Sequence, residues 1–353
     1  MRLFPMRLPH LLRSSRQLPL RSTHPHGFLG RSSRRFWVLP LLGWVGALGV
    51  ACTAAGPEAD SVAETAESGD VAVDTADSTE GAADRLESML SLQVIRGSED
   101  NGNLVASVLI EGPTELLLVD GQAKLSEAEK IVEAIAETDK PLKAIWVTHA
   151  HADHYFGLSA VLEAFPETPV YSTPEVVALV EERTPNYLQI FQERFPEDAP
   201  EVPVLPTAYG EDTLEVDGES IEILSFGRGD TENVTILHIP SLKAVIPGDI
   251  VYSGVHMYLR EAPTPEDRMA WLETLETIAA LEPEVIVPGH QSPDYADANT
   301  DAIAASQQYI ADFNQAVSDN DGVEGAKTAM INLYPDYKYP FLLEAALKAA
   351  YGE

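Results

Sequence analysis

Cysteine and basic residues are scarce in this sequence of 353 residues. Cys52 is the only cysteine, so the chain cannot form an intramolecular disulfide framework. Lysine and arginine together number 23 against 56 aspartates and glutamates, which gives a formal net charge of −33 at pH 7. A field of that sign repels polyanions, so we expect no binding to nucleic acid. The sequence also contains no internal repeat, no glycine-rich phosphate loop and no serine-nucleophile elbow.

The few basic residues are concentrated at the N-terminus. Residues 1–51 contain eight arginines and no lysine, aspartate or glutamate, so their removal takes the formal charge from −33 to about −41. They end in the apolar run 36–51, which is short for a membrane span and typical of the hydrophobic region of an export signal. We therefore predict that residues 1–51 are an export signal and that the mature protein resides in the bacterial cell envelope.

The residues around Cys52 predict how the mature chain begins. Gly49, Val50, Ala51 and Cys52 resemble a bacterial lipobox, which implies lipidation of Cys52 and a membrane anchor. The alternative is cleavage near Ala51 by an ordinary signal peptidase, which would give a soluble exported protein. Residues 52–88 are rich in small and acidic residues and contain no aromatic residue. Such a segment buries too little apolar area to fold, so we predict a disordered acidic tether.

The pattern from residue 89 onward predicts a folded α/β domain. Short apolar runs predict strands at 92–95, 104–110, 115–119, 144–147, 214–216, 220–224, 234–239, 244–246 and 285–287. Helix starts are predicted at Ser126 with Glu129 as its capping-box partner, at Thr173, and at Thr264. Two batches of strands, each crossed by helices, predict two packed sheets covered by helices. We place this domain at 89–298 and a helical C-terminal extension, packed on the same domain, at 299–353.

A cluster of metal-ligand side chains follows the predicted strand 144–147. His149, His151, Asp153 and His154 place three imidazoles and a carboxylate within six residues, before Gly157 opens a helical pattern. Neutral imidazole and carboxylate suit zinc. A loop lets neighbouring side chains fan out toward one or two ions, whereas a strand would point them to opposite faces. The cluster therefore predicts a metal site on a strand-to-helix loop.

The chain resembles the metallo-beta-lactamase-fold hydrolase superfamily. The resemblance rests on three segments in order: the HxHxDH motif at 149–154, Gly248-Asp249 after an apolar run, and Gly289-His290 after another. It implies an αββα four-layer sandwich with extra C-terminal helices. It also implies two divalent metal ions, with zinc expected and manganese or iron as alternatives. The implied ligands are His149 and His151 for the first ion, Asp153, His154 and His290 for the second, and Asp249 as a bridge.

The third ligand of the first ion departs from the family pattern. Counting back from Pro240 leads to Asp230 where the family commonly has a histidine, so we predict Asp230 as this ligand. Two carboxylates make the site harder and favour manganese or iron. The alternative is a turn aspartate that caps backbone amides, with Arg228 as its ion-pair partner. His238 and His256 are the other candidates for the missing ligand.

Three further residues are candidates for supporting roles. Asp120 ends a predicted strand and is expected to orient a ligating histidine, with turn formation as the alternative. Arg228 is a candidate for contact with an anionic substrate. His256 lies close enough to Asp249 in sequence to reach the cleft, as a substrate-binding or ligand-orienting group.

The resemblance implies that these residues form the site of a binuclear metal-dependent hydrolase. A metal-bridging hydroxide would attack a small-molecule ester, thioester, lactone or lactam, and Asp153 would orient it and pass a proton to the leaving group. Two alternatives belong to other classes: an iron-dependent redox enzyme on the same fold, and a non-catalytic lipoprotein binding module. The sequence leaves the bond cleaved and the oligomeric state open.

Overall fold

A computed structural model describes residues 89–100 and 102–353 of the chain. The predictions of an export signal, of an acidic tether and of a lipidated Cys52 lie outside these residues. The first sheet has six strands, in chain order β1 (Ser91–Arg96), β2 (Ala106–Glu111), β3 (Leu116–Val119), β4 (Leu142–Trp146), β5 (Val170–Ser172) and β6 (Thr207–Ala208). β1 to β3 pair antiparallel, and β3 to β6 pair parallel.

The remaining strands form a second large sheet and one small pair. The second sheet contains β7 (Thr213–Val216), β8 (Glu219–Arg228), β9 (Glu232–Ile239), β10 (Ala244–Ile246) and β12 (Val285–Ile286). Its spatial order is β12-β10-β9-β8-β7. β11 (Tyr252–Ser253) and β13 (His290–Gln291) form a parallel pair that the sequence pattern did not predict, because two residues are too few to show a period.

The structure also describes seven α-helices within residues 89–353. They are α1 (Leu125–Thr138), α2 (Leu158–Ala164), α3 (Pro174–Arg194), α4 (Pro265–Ala279), α5 (Ala302–Asp319), α6 (Val323–Leu333) and α7 (Pro340–Tyr351). In the part of the chain that the structure describes, no helix is both long and apolar enough to cross a membrane.

Three apolar clusters show how the layers pack. One lies between the two sheets and joins residues such as Val108 and Trp146 of the first sheet to Ile221 and Leu237 of the second. A second cluster packs α1, α2 and α3 on the outer face of the first sheet. The third packs α4 and the C-terminal helices α5 to α7 on the outer face of the second sheet. The fold is therefore an αββα four-layer sandwich with extra C-terminal helices, as predicted.

Burial on both faces explains the composition of the central strands. Every residue of β3 is buried, because one face meets the helices and the other meets the second sheet. A strand in that position has no solvent side and so carries a continuous apolar run. Each fully buried leucine or valine contributes about 1.5–3 kcal/mol of transfer free energy. The polar functional side chains lie on the loops at the ends of these strands.

Two of the three predicted helix starts are confirmed. The Thr173 hydroxyl accepts from the Val176 amide ahead of α3. Thr264 and Asp267 form a reciprocal capping box at the start of α4. The predicted capping box at Ser126 is wrong, because α1 already begins at Leu125. The Ser126 amide and hydroxyl instead donate to the carboxylate of Asp198, which a distant loop supplies.

Candidate metal centre

The histidine cluster lies on the loop between β4 and α2. The buried strand β4 ends at Trp146, and α2 begins at Leu158. Within this loop the side chains of His149, His151 and His154 are almost completely shielded from solvent. Three buried imidazoles need polar partners, because an unpaired buried polar group is costly.

Three further segments bring carboxylates and an imidazole to the same loop. Asp230 lies in the tight turn between β8 and β9 and is fully buried. Asp249 follows β10, and His290 is the first residue of β13. All three predicted residues therefore meet the cluster, although they come from separate parts of the chain.

Hydrogen bonds on the outer side of the site determine which nitrogen of two histidines faces inward. Nδ1 of His154 lies 2.8 Å from a carboxylate oxygen of Asp120, so this nitrogen carries the proton. The Thr148 hydroxyl donates to the same carboxylate at 2.8 Å and therefore accepts from Nδ1 of His149 at 2.9 Å. In both rings Nε2 is left with a free lone pair that points into the site.

The other two histidines are fixed in the same way. Nδ1 of His290 donates to the backbone carbonyl of Asn103 at 2.7 Å, which leaves Nε2 free. His151 is turned the other way round, because its Nε2 donates to Glu261 at 3.1 Å. Its free lone pair is therefore on Nδ1. All four rings turn the nitrogen that makes no outer hydrogen bond toward the site, which is the arrangement that metal-ligating histidines show.

The first group of inward atoms comprises His149, His151, Asp230 and Asp249. Oδ2 of Asp230 lies 2.6 Å from Nδ1 of His151 and 3.6 Å from Nε2 of His149. Oδ2 of Asp249 lies 3.8 Å from Nε2 of His149. Ligands about 2.0–2.1 Å from a tetrahedral zinc ion lie about 3.3 Å apart, so this group has the dimensions of a four-coordinate site.

The second group comprises Asp153, His154 and His290. Oδ2 of Asp153 lies 3.7 Å from Nε2 of His290. Asp249 approaches this group too, with Oδ1 3.2 Å from Nε2 of His154 and Oδ2 3.0 Å from Nε2 of His290. Asp249 thus lies between the two groups, which is the position that a bridging ligand requires.

The residues present fit a pair of cations. Among the residues that the structure describes, several buried atoms that point into the site have no hydrogen-bond partner of acceptable geometry, namely Nε2 of His149 and His154, both carboxylate oxygens of Asp230, and Oδ1 of Asp249. Such atoms are costly unless an ion occupies the space between them. Their identity, imidazole nitrogen and carboxylate oxygen, matches the ligands of zinc and of harder divalent ions.

The pKa values of the clustered side chains also indicate that positive charge is stabilised in this site. Burial alone lowers the pKa of His151, but the carboxylates of Asp230 and Glu261 together raise this pKa well above its ordinary value. Burial alone raises the pKa of Asp249, but His290 and His154 lower it well below its ordinary value. Protons attracted to these sites occupy the place of a more strongly charged cation, so metal binding should displace them.

Asp120 holds two ligands at once. Besides His154, its carboxylate accepts from the Thr148 amide at 2.8 Å and from the Thr148 hydroxyl, which orients His149. Asp120 has φ +59°, a left-handed conformation that costs energy in a residue with a side chain. The strain is maintained where the side chain must reach both ligands. This geometry fits the ligand-orienting role that the sequence suggested for Asp120.

Two glycines permit the close packing around Asp249. Gly248 has φ +50°, and a Cβ there would lie 2.7 Å from the Thr148 hydroxyl. A Cβ on Gly289 would lie 2.1 Å from Oδ1 of Asp249. Side chains at either position would therefore push the loops apart.

The structure separates Arg228 from the site. Its guanidinium donates to Asp267 at 2.9 Å and to the backbone carbonyl of Glu261 at 3.0 Å, beside α4. The expectation that Arg228 pairs with Asp230 is therefore wrong, and Arg228 does not line the cleft at the metal groups. Arg228 is the last residue of β8, and its side chain extends toward α4 and away from the ligand groups.

The two alternative histidines also lie elsewhere. Nδ1 of His256 contacts the Tyr309 hydroxyl at 2.9 Å in the core beneath α5, and His256 does not line the cleft at the metal groups. His238 contacts Glu222 at 2.8 Å across β8 and β9. The expectation that His256 reaches the cleft is not met, and neither histidine belongs to a metal-ligand group among the residues that the structure describes.

Glu261 is a site residue that the sequence did not reveal. Its carboxylate contacts Nε2 of His151, accepts from Arg183 at 3.0 Å and accepts from the Thr231 hydroxyl at 2.8 Å. Burial alone raises the pKa of Glu261, but these contacts lower it to about 2. Glu261 is 110 residues from His151 in the chain, so no local spacing could have predicted the contact.

Tyr252 is a second site residue that the sequence did not reveal. Its hydroxyl donates to Asp249 at 2.9 Å, and no sequence motif marks it.

Comparison with known proteins identifies the family. A family model for the metallo-beta-lactamase superfamily matches residues 100–290, which is more than half of the chain. A Streptococcus pyogenes serotype M6 protein named as a probable metallo-hydrolase is 38% identical over 74 residues, which is 20% of this chain and 32% of that protein. A hydroxyacylglutathione hydrolase of Tolumonas auensis is 32% identical over 83 residues, which is 24% of this chain and 29% of that protein. The chain thus matches about a third or less of the length of these curated relatives.

A solved structure shows the same fold. The crystal structure of a metallo-beta-lactamase family protein from Thermus thermophilus superposes with a TM-score of 0.52, at 20% identity, over 74% of this chain and 91% of that chain. Likeness at this identity concerns the fold alone. The histidine loop, Asp230, Asp249 and His290 all lie within the segment that the family model matches. The chain therefore belongs to the metallo-beta-lactamase superfamily.

Proposed function

We propose that this protein is a binuclear metal-dependent hydrolase of small-molecule esters, thioesters, lactones or lactams. The observation that supports the proposal most strongly is the orientation of the four imidazoles. Each ring donates its outer N–H to a fixed acceptor and aims its other nitrogen at a carboxylate of the site. A binding module without catalysis has no need of two adjoining ligand groups that open into a cleft.

The residues divide the work between binding, orientation and proton transfer. His149, His151 and Asp230 would hold the first ion, and Asp153, His154 and His290 the second, with Asp249 between them. When bound, the ions lower the pKa of a coordinated water toward about 7 and stabilise the negative charge that develops on the substrate oxygen. Tyr252 keeps Asp249 in place through its hydroxyl.

Asp153 is the residue best placed to move a proton. It lines the cleft, and its side chain is 22% exposed, whereas Asp230 and Asp249 are shielded from solvent. A carboxylate in that position can accept a proton from the attacking water and return it to the leaving group. Geometry thus distinguishes Asp153 from the carboxylates that only hold metal.

The identity of the metal is part of the proposal. Zinc suits the imidazole ligands, and it is the ion that we propose. Asp230 and Asp249 give the first group two carboxylates, which makes manganese or iron the alternative.

Hydrolysis after metal removal tests the proposed function. The full chain, treated with chelator and dialysed, should lose hydrolysis of p-nitrophenyl acetate and regain it with zinc or manganese. His149→Ala with His151→Ala should lose activity in every metal, whereas His238→Ala should keep it. Equal ester hydrolysis in the double variant would contradict the proposal.

We also propose that the protein is anchored in the bacterial cell envelope through a lipid on Cys52. The lipobox resemblance supports this location, and an acyl chain supplies about 0.8 kcal/mol of membrane binding per buried methylene. The full-length protein should partition with membranes when it is expressed in bacteria, and Cys52→Ser should release it. Unchanged fractionation of that variant would favour ordinary signal-peptide cleavage.

A further inference from the structure

The cleft at the metal groups is bounded by side chains whose role the proposed function leaves open. The apolar wall consists of Tyr187 and Phe191 of α3, Tyr258, and Tyr339, Phe341 and Leu342 at the start of α7. These six residues share large apolar surfaces, and they come from three distant parts of the chain. The cleft has a cavity volume of about 170 Å³. That is more than ten times the roughly 10–15 Å³ that one water molecule needs, so an organic group can enter.

The apolar wall adjoins the first metal group directly. The ring of Tyr258 stands edge-on to His151, with ring centres 5.4 Å apart. The centre of the Tyr187 ring lies 6.4 Å from the centre of the His151 ring. A substrate whose carbonyl meets the metal groups therefore has its neighbouring atoms against these rings.

The part of the apolar wall at the start of α7 depends on a strained backbone conformation. Tyr339 has φ +61° and ψ +58°, a left-handed conformation that is rare for an aromatic residue. Its hydroxyl donates to the carbonyl of Glu99 at 2.6 Å, and the adjacent Lys338 pairs through its backbone with Gly254 and His256. Backbone strain of this kind persists where the surrounding structure requires it, and it concentrates at functional sites.

The charged groups of the lining all belong to the metal centre. Within residues 89–100 and 102–353, no lysine or arginine lines the cleft. Arg183, the basic residue bound to Glu261, also pairs with Glu232 and is not part of the lining. The carboxylates that line the cleft are Asp153 and Asp249, and both lie at the metal groups. Among the described lining residues, neither an anionic nor a cationic substrate group has a dedicated partner.

We propose that the apolar wall binds the acyl group of the substrate and selects an uncharged alkyl or aryl acyl group over a short or charged one. The proposal rests on the proposed hydrolase function and adds its substrate class. Apolar burial would supply the selectivity, since each additional methylene removed from water makes binding more favourable. The first turn of α7, which carries Phe341 and Leu342, would then determine the specificity for the acyl group.

Four esters with one leaving group test the proposal on the metal-loaded full chain. They are p-nitrophenyl acetate, the octanoate, the anionic hemisuccinate and the cationic betaine ester. We expect kcat/KM for the octanoate to exceed each of the other three by about tenfold or more, with the difference from acetate mostly in KM. Equal values for acetate and octanoate, or a higher value for either charged ester, would overturn it.

Two exposed residues provide a matched pair of variants. Phe341 is 56% exposed in the wall, and Leu333 is 57% exposed at the end of α6, outside the cleft. Phe341→Ala should lower the octanoate-to-acetate ratio about fivefold, and Phe341→Leu should restore most of it. Leu333→Ala should leave the ratio unchanged. An unchanged ratio in Phe341→Ala would remove Phe341 from the acyl site.

A binding measurement separates this proposal from the hydrolase proposal. Unhydrolysable 2-decanone should bind the metal-loaded full chain in calorimetry at least about tenfold more tightly than 2-butanone, and Phe341→Ala should reduce that difference. Inactivity toward all four esters combined with this ketone preference would refute the hydrolase and keep the apolar site. Ester hydrolysis without chain-length or ketone preference would refute the apolar site alone.

Discussion

Oδ2 of Asp230 lies 2.6 Å from Nδ1 of His151, in the first group of inward-facing ligand atoms. Both side chains are buried, and within the described part of the chain Asp230 has no hydrogen-bond partner of acceptable geometry on either oxygen. The contact places Asp230 among the ligand atoms of the first group, as the prediction for the third ligand requires. It also argues against the alternative role of Asp230 as a turn residue paired with Arg228, since that arginine pairs with Asp267.

Asp230→Ala should lose the first metal ion, because only three ligands remain in that group. It should also lose most of its turnover. Asp230→His should retain metal, since an imidazole can ligate in the same place. Metal content by elemental analysis checks both outcomes.

Asp217→Ala is the matched control for this pair. The Asp217 carboxylate accepts hydrogen bonds from the backbone amides of Thr114 and Glu115 in a turn, and Asp217 belongs to neither ligand group. Its loss should lower the stability of the fold slightly, as the loss of a capping group does, without loss of metal. Asp230 would be a turn residue if its alanine variant behaved in the same way.

Glu261→Ala should weaken metal binding at the first site about tenfold to a hundredfold, the usual effect of removing a partner of a ligating histidine. Without Glu261 the outer N–H of His151 has no fixed acceptor, so its tautomer is no longer selected. Titration with a chromophoric chelator measures the affinity. Glu276→Ala, an exposed glutamate on α4, is the control and should leave it unchanged.

The ligands and the ligand-orienting residues differ in how far the sequence could predict them. The loop residues His149 to His154 are adjacent in the chain, so their spacing is visible directly. Asp249 and His290 follow apolar runs, and the ends of buried strands meet at one edge of the sandwich. Glu261 carries no such signal, because its contact with His151 depends on how the loop before α4 packs against α3.

Arg228→Ala should leave the KM for an anionic ester unchanged and should destabilise the fold only slightly. Its side chain pairs with Asp267 at the start of α4, where both groups are partly exposed. Such pairs contribute about 0–1 kcal/mol. Arg183→Ala should instead weaken metal binding in the same direction as Glu261→Ala. A raised KM in Arg228→Ala alone would place that side chain in the cleft after all.

His256 should make the stability of the fold depend on pH. Burial lowers its pKa to about 4, from an ordinary value of 6.5. Between these values the unfolded chain binds the proton and the folded chain does not. The free energy of unfolding therefore has its full value above about pH 6.5 and falls as the pH drops toward 4, by up to about 3 kcal/mol.

Urea unfolding of metal-free protein across this pH range checks the prediction for His256. His256→Phe should remove that part of the slope, and comparison of variant with parent cancels the titration of other groups. Parallel curves for parent and variant would show that His256 is protonated equally in both states.

The smallest elements were the least predictable. β5, β6, β11 and β13 have two or three residues each, and unlike the equally short β10 and β12 they do not lie in an uninterrupted apolar run that would indicate a buried strand. β13 nevertheless carries His290, whose position is fixed by backbone pairing of Gly289 and Gln291 with Ala106 and Leu104. The layers themselves followed from the long apolar runs, because those runs must be covered on both faces.

The metal content of the purified full-length chain tests the central claim most directly. Elemental analysis should find close to two ions per chain in the parent protein. The double variant His149→Ala with His151→Ala should lose at least one of them, while His238→Ala should keep both. If the parent protein contained no more metal than the double variant, the binuclear centre would be contradicted.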